Sequence, residues 1–462
     1  MRNSFWILLS SLLSQLLLAI ASDPVLAGEP EVKHVVLISI DGLPASFLED
    51  PAIPLKTIRH LARQGVIAEG MTVCNPSVTW PNHTTLITGA RPAEHGVLYN
   101  GVLERLGPGL PIQLNSRKDK GELVLIPTLT DLVSAQGGTV AGINWPCTRN
   151  CSSLSIDFPD TPEMMKYTTP EFLEELIEAG QVPDDLRESF YKLPPVGRDR
   201  VWTDAACYAL RKHKPRLTLV HLLNVDASHH RYGPGTWAGH SAVAYADSCV
   251  RDILEALDDA GIREQTAVFV VSDHGFISTP KSLNPNSLLR KAGLLTVEGN
   301  RITAATAQGH PAGGTAMLFL TRPDTREQDR KRVIELFTGA EGIKEILTPE
   351  HFEALGMPLP DEYPQMGDLV LVAEDGYAFT NAFSEDELVT PSSYPLGTHG
   401  FLSNNPRMNA TFIAAGAGIR QGLEMGLIEN IQVAPTIAKL LNVQLESATG
   451  APLDEILTGV SQ

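Results

Sequence analysis

Basic residues are scarce in this sequence, which has 36 Lys and Arg against 54 Asp and Glu and a net charge of −18. A protein that binds a nucleic-acid polymer neutralises phosphates with Lys and Arg, so we expect no such partner. Internal repeats and low-complexity tracts are also absent from the sequence. Small anionic substrates are not excluded, because a local metal ion can reverse the field inside a site.

Long apolar runs are absent after residue 27, so no stable membrane anchor is expected in the rest of the chain. At the N-terminus, Arg2 precedes an apolar run over residues 5–21, with small-residue cleavage sites at 19–21 or 25–27. This pattern is typical of a secretory signal peptide, and polar residues inside the run favour cleavage over an uncleaved anchor. We expect residues 1–27 to be a signal peptide and the protein to be exported, either periplasmic or secreted.

Cysteine is sparse as well. Export would permit disulfides, and Cys147 and Cys151 are close enough in sequence to close a small loop. An odd number of cysteines leaves at least one thiol unpaired or paired between chains. The sequence leaves the pairing open among five residues, Cys74, Cys147, Cys151, Cys207 and Cys249.

Patterns of strands and helices alternate along most of the chain. Unbroken apolar strands are predicted at 34–40, 217–225 and 266–272, with helical periodicity at 54–64 and 238–260. Strands that are apolar throughout are typical of a sheet covered on both sides. The alternation therefore predicts an α/β fold with a large, mostly parallel central sheet and helices on both faces.

Two regions, at about 100–126 and 281–395, are weakly patterned and rich in Gly, Pro and charged residues. We expect them to be cap-like insertions over the active-site edge. Residues 28–462 would then form a single catalytic domain.

Acidic and imidazole side chains occur where several predicted strands end. Ligands of open parallel sheets bind outside the carboxyl ends of the strands, so these side chains should gather at one edge. Taken singly, each could instead cap a helix or hydrogen-bond the backbone. Three carboxylates at one edge would repel one another unless cations were present. The residues are Asp41, Asp226, His230, Asp273, His274 and His399.

A mixture of carboxylate and imidazole ligands suits zinc. We expect two Zn²⁺ ions, with another divalent metal as the alternative. The six side chains divide into two sets, Asp41, Asp273 and His274 for the first ion and Asp226, His230 and His399 for the second.

Thr79 follows a predicted strand at 66–73 and a proline-containing turn, and it precedes a short helical pattern that stops at Gly89. The free N–H groups and the dipole of a helix N-terminus favour an anion. A hydroxyl bound there to the first ion would be held as an alkoxide. An ordinary loop with a capping threonine is the alternative. We interpret Thr79 as a nucleophile and as a ligand of the first ion.

The segments that hold these residues also match a set of known motifs within residues 33–442. They are 38–42, 79–96, 226–234, 272–275 and 398–400. Together they resemble the alkaline phosphatase superfamily, specifically its nucleotide pyrophosphatase/phosphodiesterase branch.

The resemblance implies a role for each matching residue. Thr79 would be the nucleophile, and the Asn82 amide would donate to a non-bridging phosphate oxygen. Trp145, in Asn-Trp-Pro, would line the leaving-group pocket and bind substrate, with core packing as the alternative. His229 departs from the family, which has Gly at this position; it would crowd the second ion or add a polar contact.

The sequence also bears on the reaction. Sulfatases of the superfamily use a modified cysteine in Cys-x-Pro-Ser-Arg, and Cys74 begins a similar stretch, but Val78 replaces the Arg.

The charges of two Zn²⁺ ions, three aspartates and an alkoxide sum to a nearly neutral site. Such a site suits a diester, with one negative charge, better than a monoester, which carries about two near neutral pH.

We therefore expect an exported two-zinc hydrolase that cleaves phosphodiester or pyrophosphate bonds in nucleotide-type or other small diesters. A phosphomonoesterase or phosphonate hydrolase is the alternative, because Arg231 or the basic residues at 117–120 could answer a second charge. A cofactor-independent mutase and a non-catalytic binding protein fit less well. Residues 308–314 are either a pocket loop or a plain turn.

Overall fold

An eight-stranded sheet forms the centre of the protein, in a computed structural model that describes residues 31–459. The strand order is β21-β2-β20-β8-β1-β7-β5-β6, and every neighbouring pair is parallel except the two that involve β20. The predicted signal peptide lies outside the described residues. Among residues 31–459, every helix is too short or too polar to cross a membrane.

The strands are β1 (His34–Ile40), β2 (Val66–Thr72), β3 (Val102–Arg105), β4 (Ile112–Asn115), β5 (Val140–Pro146), β6 (Ile156–Asp160), β7 (Leu217–Leu222), β8 (Thr266–Val271), β9 (Ile277–Ser278), β10 (Lys281–Leu283), β11 (Leu295–Glu298), β12 (Arg301–Ala305), β13 (Ala307–Pro311), β14 (Thr315–Leu320), β15 (Ile343–Leu347), β16 (Leu369–Ala373), β17 (Tyr377–Phe379), β18 (Val389–Pro391), β19 (Gly397–Thr398), β20 (Phe412–Gly416) and β21 (Leu423–Glu429).

The α-helices are α1 (Lys56–Gln64), α2 (Thr79–Thr88), α3 (Pro92–His95), α4 (Lys120–Leu123), α5 (Leu129–Ala135), α6 (Pro170–Glu178), α7 (Leu186–Ser189), α8 (Pro195–Lys212), α9 (Asn224–Tyr232), α10 (Trp237–Asp259), α11 (Pro285–Lys291), α12 (Arg326–Phe337), α13 (Pro349–Phe352) and α14 (Val433–Leu440).

Helices cover both faces of the central sheet, as predicted. Because side chains alternate along a strand, β1 contributes Val35 and Leu37 to one hydrophobic cluster and Val36 and Ile38 to the other. Helices α2, α5 and α14 pack in the first cluster, and α1, α8 and α10 in the second. The predicted α/β fold is confirmed.

One predicted strand is shorter than expected. β7 ends at Leu222, and α9 begins at Asn224, so Asp226 lies in the first turn of a helix rather than directly after a strand. The cause is Asp199 on α8, a buried residue whose carboxylate accepts the N–H groups of Leu223 (2.8 Å) and Asn224 (3.0 Å). These bonds satisfy free N–H groups at the start of α9 and favour the helix over a longer strand.

The weakly patterned regions are folded. Strands β3 and β4 form a hairpin, and β13, β14, β16 and β15 form a four-stranded antiparallel sheet, here called the second sheet. The two sheets share one hydrophobic cluster. The division into one catalytic domain with two insertions stays a prediction.

All five cysteines are buried free thiols, so no disulfide closes the 147–151 loop.

Asp199→Ala should destabilise the protein, because two N–H groups at the start of α9 would lose a buried carboxyl acceptor. We expect the free energy of unfolding to fall by about 1–3 kcal/mol, as measured by urea denaturation. Asp204→Ala on the same helix is the control. Its carboxylate forms a partly exposed ion pair with Arg200, worth about 0–1 kcal/mol. Equal losses in both variants would contradict the capping role.

Candidate active site

Thr79 is the first residue of α2 and follows the loop 73–78. The preceding Val78 is extended, and Thr79 is largely buried. The His83 ring Nδ1 donates to the Thr79 carbonyl over 2.9 Å and lies 3.5 Å from Asp273 Oδ2. The predicted helix N-terminus is therefore present, and it lies beside one of the predicted ligand clusters.

The first cluster consists of Asp41, Asp273 and His274, whose ligand atoms lie within 4.8 Å of one another. His274 Nε2 is 3.3 Å from Asp41 Oδ1 and 3.2 Å from Asp273 Oδ2. These three atoms are buried without a hydrogen-bond partner. The other oxygens are held: His221 Nε2 lies 3.0 Å from Asp41 Oδ2, and the Gly42 N–H donates to Asp273 Oδ1 over 3.1 Å. Each carboxylate thus keeps one oxygen for a ligand.

The second cluster consists of Asp226, His230 and His399. His230 Nε2 lies 3.3 Å and His399 Nε2 lies 3.8 Å from Asp226 Oδ1. The His399 ring stacks on His274 of the first cluster, with ring centroids 3.6 Å apart. The two clusters therefore adjoin, and the six predicted residues meet at one edge of the sheet.

Backbone carbonyls orient the imidazoles. Nδ1 of His230 is 2.9 Å from the Gly397 carbonyl, and Nδ1 of His399 is 2.9 Å from the Ser77 carbonyl. Because a carbonyl only accepts, Nδ1 carries the proton in both rings. In the neutral ring Nε2 then presents its lone pair to the cluster, which is the arrangement of a metal-ligating histidine.

Burial and charge set the protonation of the clusters. Burial, then repulsion by Asp273 and Asp226, holds the pKa of Asp41 well above its usual range. Burial also lowers the pKa of His274 to about 4 and that of His399 to about 3, so both rings are neutral near pH 7. When these buried carboxylates ionise beside the neutral rings of His274 and His399, they carry negative charge that divalent cations would offset. The oxygen and nitrogen donors fit zinc.

Asn82 does not lie where a phosphate oxygen could reach its amide. Its Nδ2 donates to the carbonyls of Pro76 (3.0 Å) and Val78 (2.9 Å). Its Oδ1 accepts from the Cys74 N–H and from Asn430 Nδ2, each at 2.8 Å. The side chain is completely buried. The predicted substrate contact is therefore corrected: Asn82 closes the loop that leads to Thr79.

Asn100, which was not predicted from the sequence, lies beside the start of α2. Its Oδ1 accepts the N–H of Trp80, the residue after Thr79, over 2.8 Å, and the residue is only half-buried. This bond fixes the Asn100 carboxamide beside Thr79. The NH₂ group of the same carboxamide therefore also lies close to Thr79. The only sequence signal was an asparagine before a glycine in the 100–126 region, which is equally typical of a turn.

The predicted substrate contact of Trp145 is not supported either, since its side chain is completely buried with its ring edge against His83. This is the core-packing alternative.

His229 neither joins nor crowds the second cluster. Its Nδ1 is 3.2 Å from the Gly42 carbonyl, and its ring packs against Phe47 and Phe276, behind the Asp41 turn.

His221 was not identified from the sequence. It lies in β7 opposite Ser39 of β1, and its Nδ1 lies 3.0 Å from the Asn144 carbonyl. A polar residue near the end of an apolar strand was the available signal.

Cys74 has a structural role, because its thiol donates to Asn430 Oδ1. A sulfatase-type role for Cys74 is therefore unsupported.

The central sheet, the two clusters at its edge and the threonine at a helix N-terminus together form an alkaline phosphatase-like arrangement. Residues 35–402 match the family described as Type I phosphodiesterase / nucleotide pyrophosphatase. The chain belongs to this family, and the resemblance seen in the motifs is confirmed.

Known relatives are distant in sequence. The chain is 22% identical over 432 residues to ectonucleotide pyrophosphatase/phosphodiesterase C27A7.1 of Caenorhabditis elegans, covering 92% of this chain and 45% of that protein. It is 21% identical over 421 residues to mouse bis(5'-adenosyl)-triphosphatase enpp4, covering 90% and 79%. The chain thus spans about half the length of the worm relative.

Solved structures show the same fold. Human ectonucleotide pyrophosphatase/phosphodiesterase 5 superposes with a TM-score of 0.67 at 17% identity, over 92% of this chain and 100% of that one. An inactive variant of the murine protein in complex with AMP gives a TM-score of 0.65 at 16% identity, with the same coverage. The alkaline phosphatase-like fold is therefore confirmed.

Asn82→Ala should lower both stability and activity, whereas Asn100→Ala should lower activity alone. Removing the Asn82 amide leaves buried N–H and carbonyl groups of the loop without hydrogen-bond partners. We therefore expect a clearly lower melting temperature together with lost activity. Removing the Asn100 amide should leave the melting temperature nearly unchanged but slow hydrolysis by about 10²–10³-fold, as for an oxyanion donor. Thermal melts and nitrophenyl-ester rates measure both. A stable Asn82→Ala with an unstable Asn100→Ala would reverse the assignment.

Proposed function

We propose that this protein hydrolyses phosphodiester or pyrophosphate bonds of nucleotide-type or other small diesters through a covalent phospho-threonine at Thr79. The observation that carries the proposal is that the segment holding Thr79 contacts both clusters. Its helix contacts Asp273 of the first cluster through His83, and its loop contacts His399 of the second through Ser77. The names of the relatives, which refer to nucleotide pyrophosphatases and phosphodiesterases, also support it.

The six clustered residues would hold two zinc ions. Asp41, Asp273, His274 and the Thr79 oxygen would bind the first, and Asp226, His230 and His399 the second. When bound, the ions would stabilise the attacking and departing oxygens of an in-line displacement. The unpartnered Asp41 Oδ1, Asp226 Oδ1, Asp273 Oδ2 and His274 Nε2 support this assignment, because buried polar atoms are rarely left without a partner.

The reaction would proceed in two displacements. Thr79 Oγ attacks phosphorus, the P–O bond to the leaving group breaks, and the leaving alkoxide or phosphate departs. Water then attacks the phospho-threonine on phosphorus, which releases the product and regenerates the hydroxyl. Asn100 would donate its amide to a non-bridging oxygen in both steps.

A diester substrate is favoured over a monoester because two of the basic residues that could answer a second charge are already in ion pairs. Lys118 pairs with Glu104 and Glu122, and Lys120 pairs with Asp131. Neither ammonium group is therefore free to pair with the second negative charge of a monoester. We also propose that the protein is exported, which fits the N-terminal sequence pattern and the "ecto" relatives.

Thr79→Ala should abolish turnover, because no other group can form the covalent intermediate, while most of the bound zinc is retained. Thr79→Ser keeps a hydroxyl and should retain measurable activity. Stopped reactions with a radiolabelled substrate, together with metal analysis, measure both variants. Activity of Thr79→Ala equal to that of the wild type would exclude the covalent route.

Diester preference is tested by comparing bis(4-nitrophenyl) phosphate, the 4-nitrophenyl ester of thymidine monophosphate and 4-nitrophenyl phosphate. The three substrates share one leaving group, so their kcat/KM values compare the transferred group alone. We expect the two diesters to exceed the monoester by about tenfold or more, roughly the effect of one uncompensated charge near a protein surface. A faster monoester would favour the phosphomonoesterase alternative.

A further inference from the structure

The turn between β13 and β14 lies directly against the segment that contains His399. The Gly314 N–H donates to the His399 carbonyl over 2.8 Å. A Cβ on Gly313, which has a φ of +82°, would lie 2.2 Å from the same carbonyl oxygen. A Cβ on Gly314 would lie 2.3–2.5 Å from three atoms of the Phe401 ring. The two backbones are therefore in contact, and only glycine permits this approach.

The nucleophile loop holds His399 from another side. The Ser77 carbonyl accepts both the His399 Nδ1–H (2.9 Å) and the Gly400 N–H (3.1 Å). The Ser77 hydroxyl donates to the Phe401 carbonyl. His399 is thus fixed between the loop that leads to Thr79 and the turn of the second sheet.

The second sheet makes the turn rigid. The Gly314 carbonyl accepts the Ala373 N–H of β16 over 2.9 Å, and the Gly313 carbonyl accepts the Phe379 N–H of β17 over 2.8 Å. The Ala312 N–H donates to the Thr315 carbonyl over 2.8 Å and closes the turn. The turn therefore transmits the position of the second sheet to His399.

We propose that the Gly313–Gly314 turn is a positioning element of the second cluster, which sets the place of His399 and thereby the affinity of that cluster for a divalent cation. The inference rests on the metal site of the proposed function. Zinc–nitrogen bonds of about 2.0–2.1 Å leave little tolerance for a displaced ligand. A methyl group at Gly314 pushes on Phe401, two residues from His399, so the second cluster should lose affinity while the fold survives.

Gly314→Ala tests the proposal, with Gly426→Ala as the matched control. Both glycines have ordinary backbone φ values, but a Cβ at Gly426 on β21 meets no atom within 4 Å. Zinc titrations followed by native mass spectrometry count ions on folded molecules only. We expect two ions on the wild type and on Gly426→Ala. In Gly314→Ala one of the two should bind about 10–100-fold more weakly, as for lost supporting contacts of a ligand.

Variants that each keep one cluster show which ion is lost. In the His274→Ala variant, adding Gly314→Ala should abolish tight binding of the one remaining zinc ion. In the His399→Ala variant, adding Gly314→Ala should leave zinc binding unchanged. Two ions with wild-type affinity on Gly314→Ala would overturn this inference alone, whereas a wild type without two ions would overturn the proposed function as well. If Gly314→Ala yields no folded protein, Gly314→Ala with Phe401→Leu is measured against Phe401→Leu, with the same two outcomes.

Discussion

The burial of three carboxylates at one sheet edge is the constraint on which the rest of the site depends. Asp41, Asp226 and Asp273 are removed from water, and the neighbouring imidazoles are held neutral or paired rather than freely charged. Such a cluster is costly unless cations enter it. The supporting contacts therefore leave specific oxygen and nitrogen atoms without protein partners, and the same atoms define where positive charge has to come from.

Those supporting contacts come from distant parts of the chain. His221 on β7 holds Asp41, the Ser77 loop holds His399, and Asp199 on α8 fixes the start of the helix that carries Asp226 and His230. Five of the six clustered residues thus have one side-chain atom tied to the scaffold, and Asp226 is placed by the helix that carries it. Rigid placement of this kind lowers the reorganisation needed when charge develops during a reaction.

The sequence predicted the features that depend on local pattern or on strand ends. Strand β1 was predicted to its exact bounds because it is apolar on both faces, and the six clustered side chains follow from their places near strand ends. The two asparagines could not be told apart, since the distinction depends on Asn430, 348 positions from Asn82. The second sheet was missed because β13 and β15 are short and partly exposed, which weakens the alternation of apolar residues.

The order of strands also bears on when this site can assemble. Strand β2, which leads to Thr79, pairs only with β20 and β21 within the described residues, apart from a bridge between Met71 and Ala410. All of these partners lie after residue 409. During synthesis the segment that holds Thr79 has no sheet to join until residues 410–429 have left the ribosome. A chain that stops before β20 therefore cannot assemble this site.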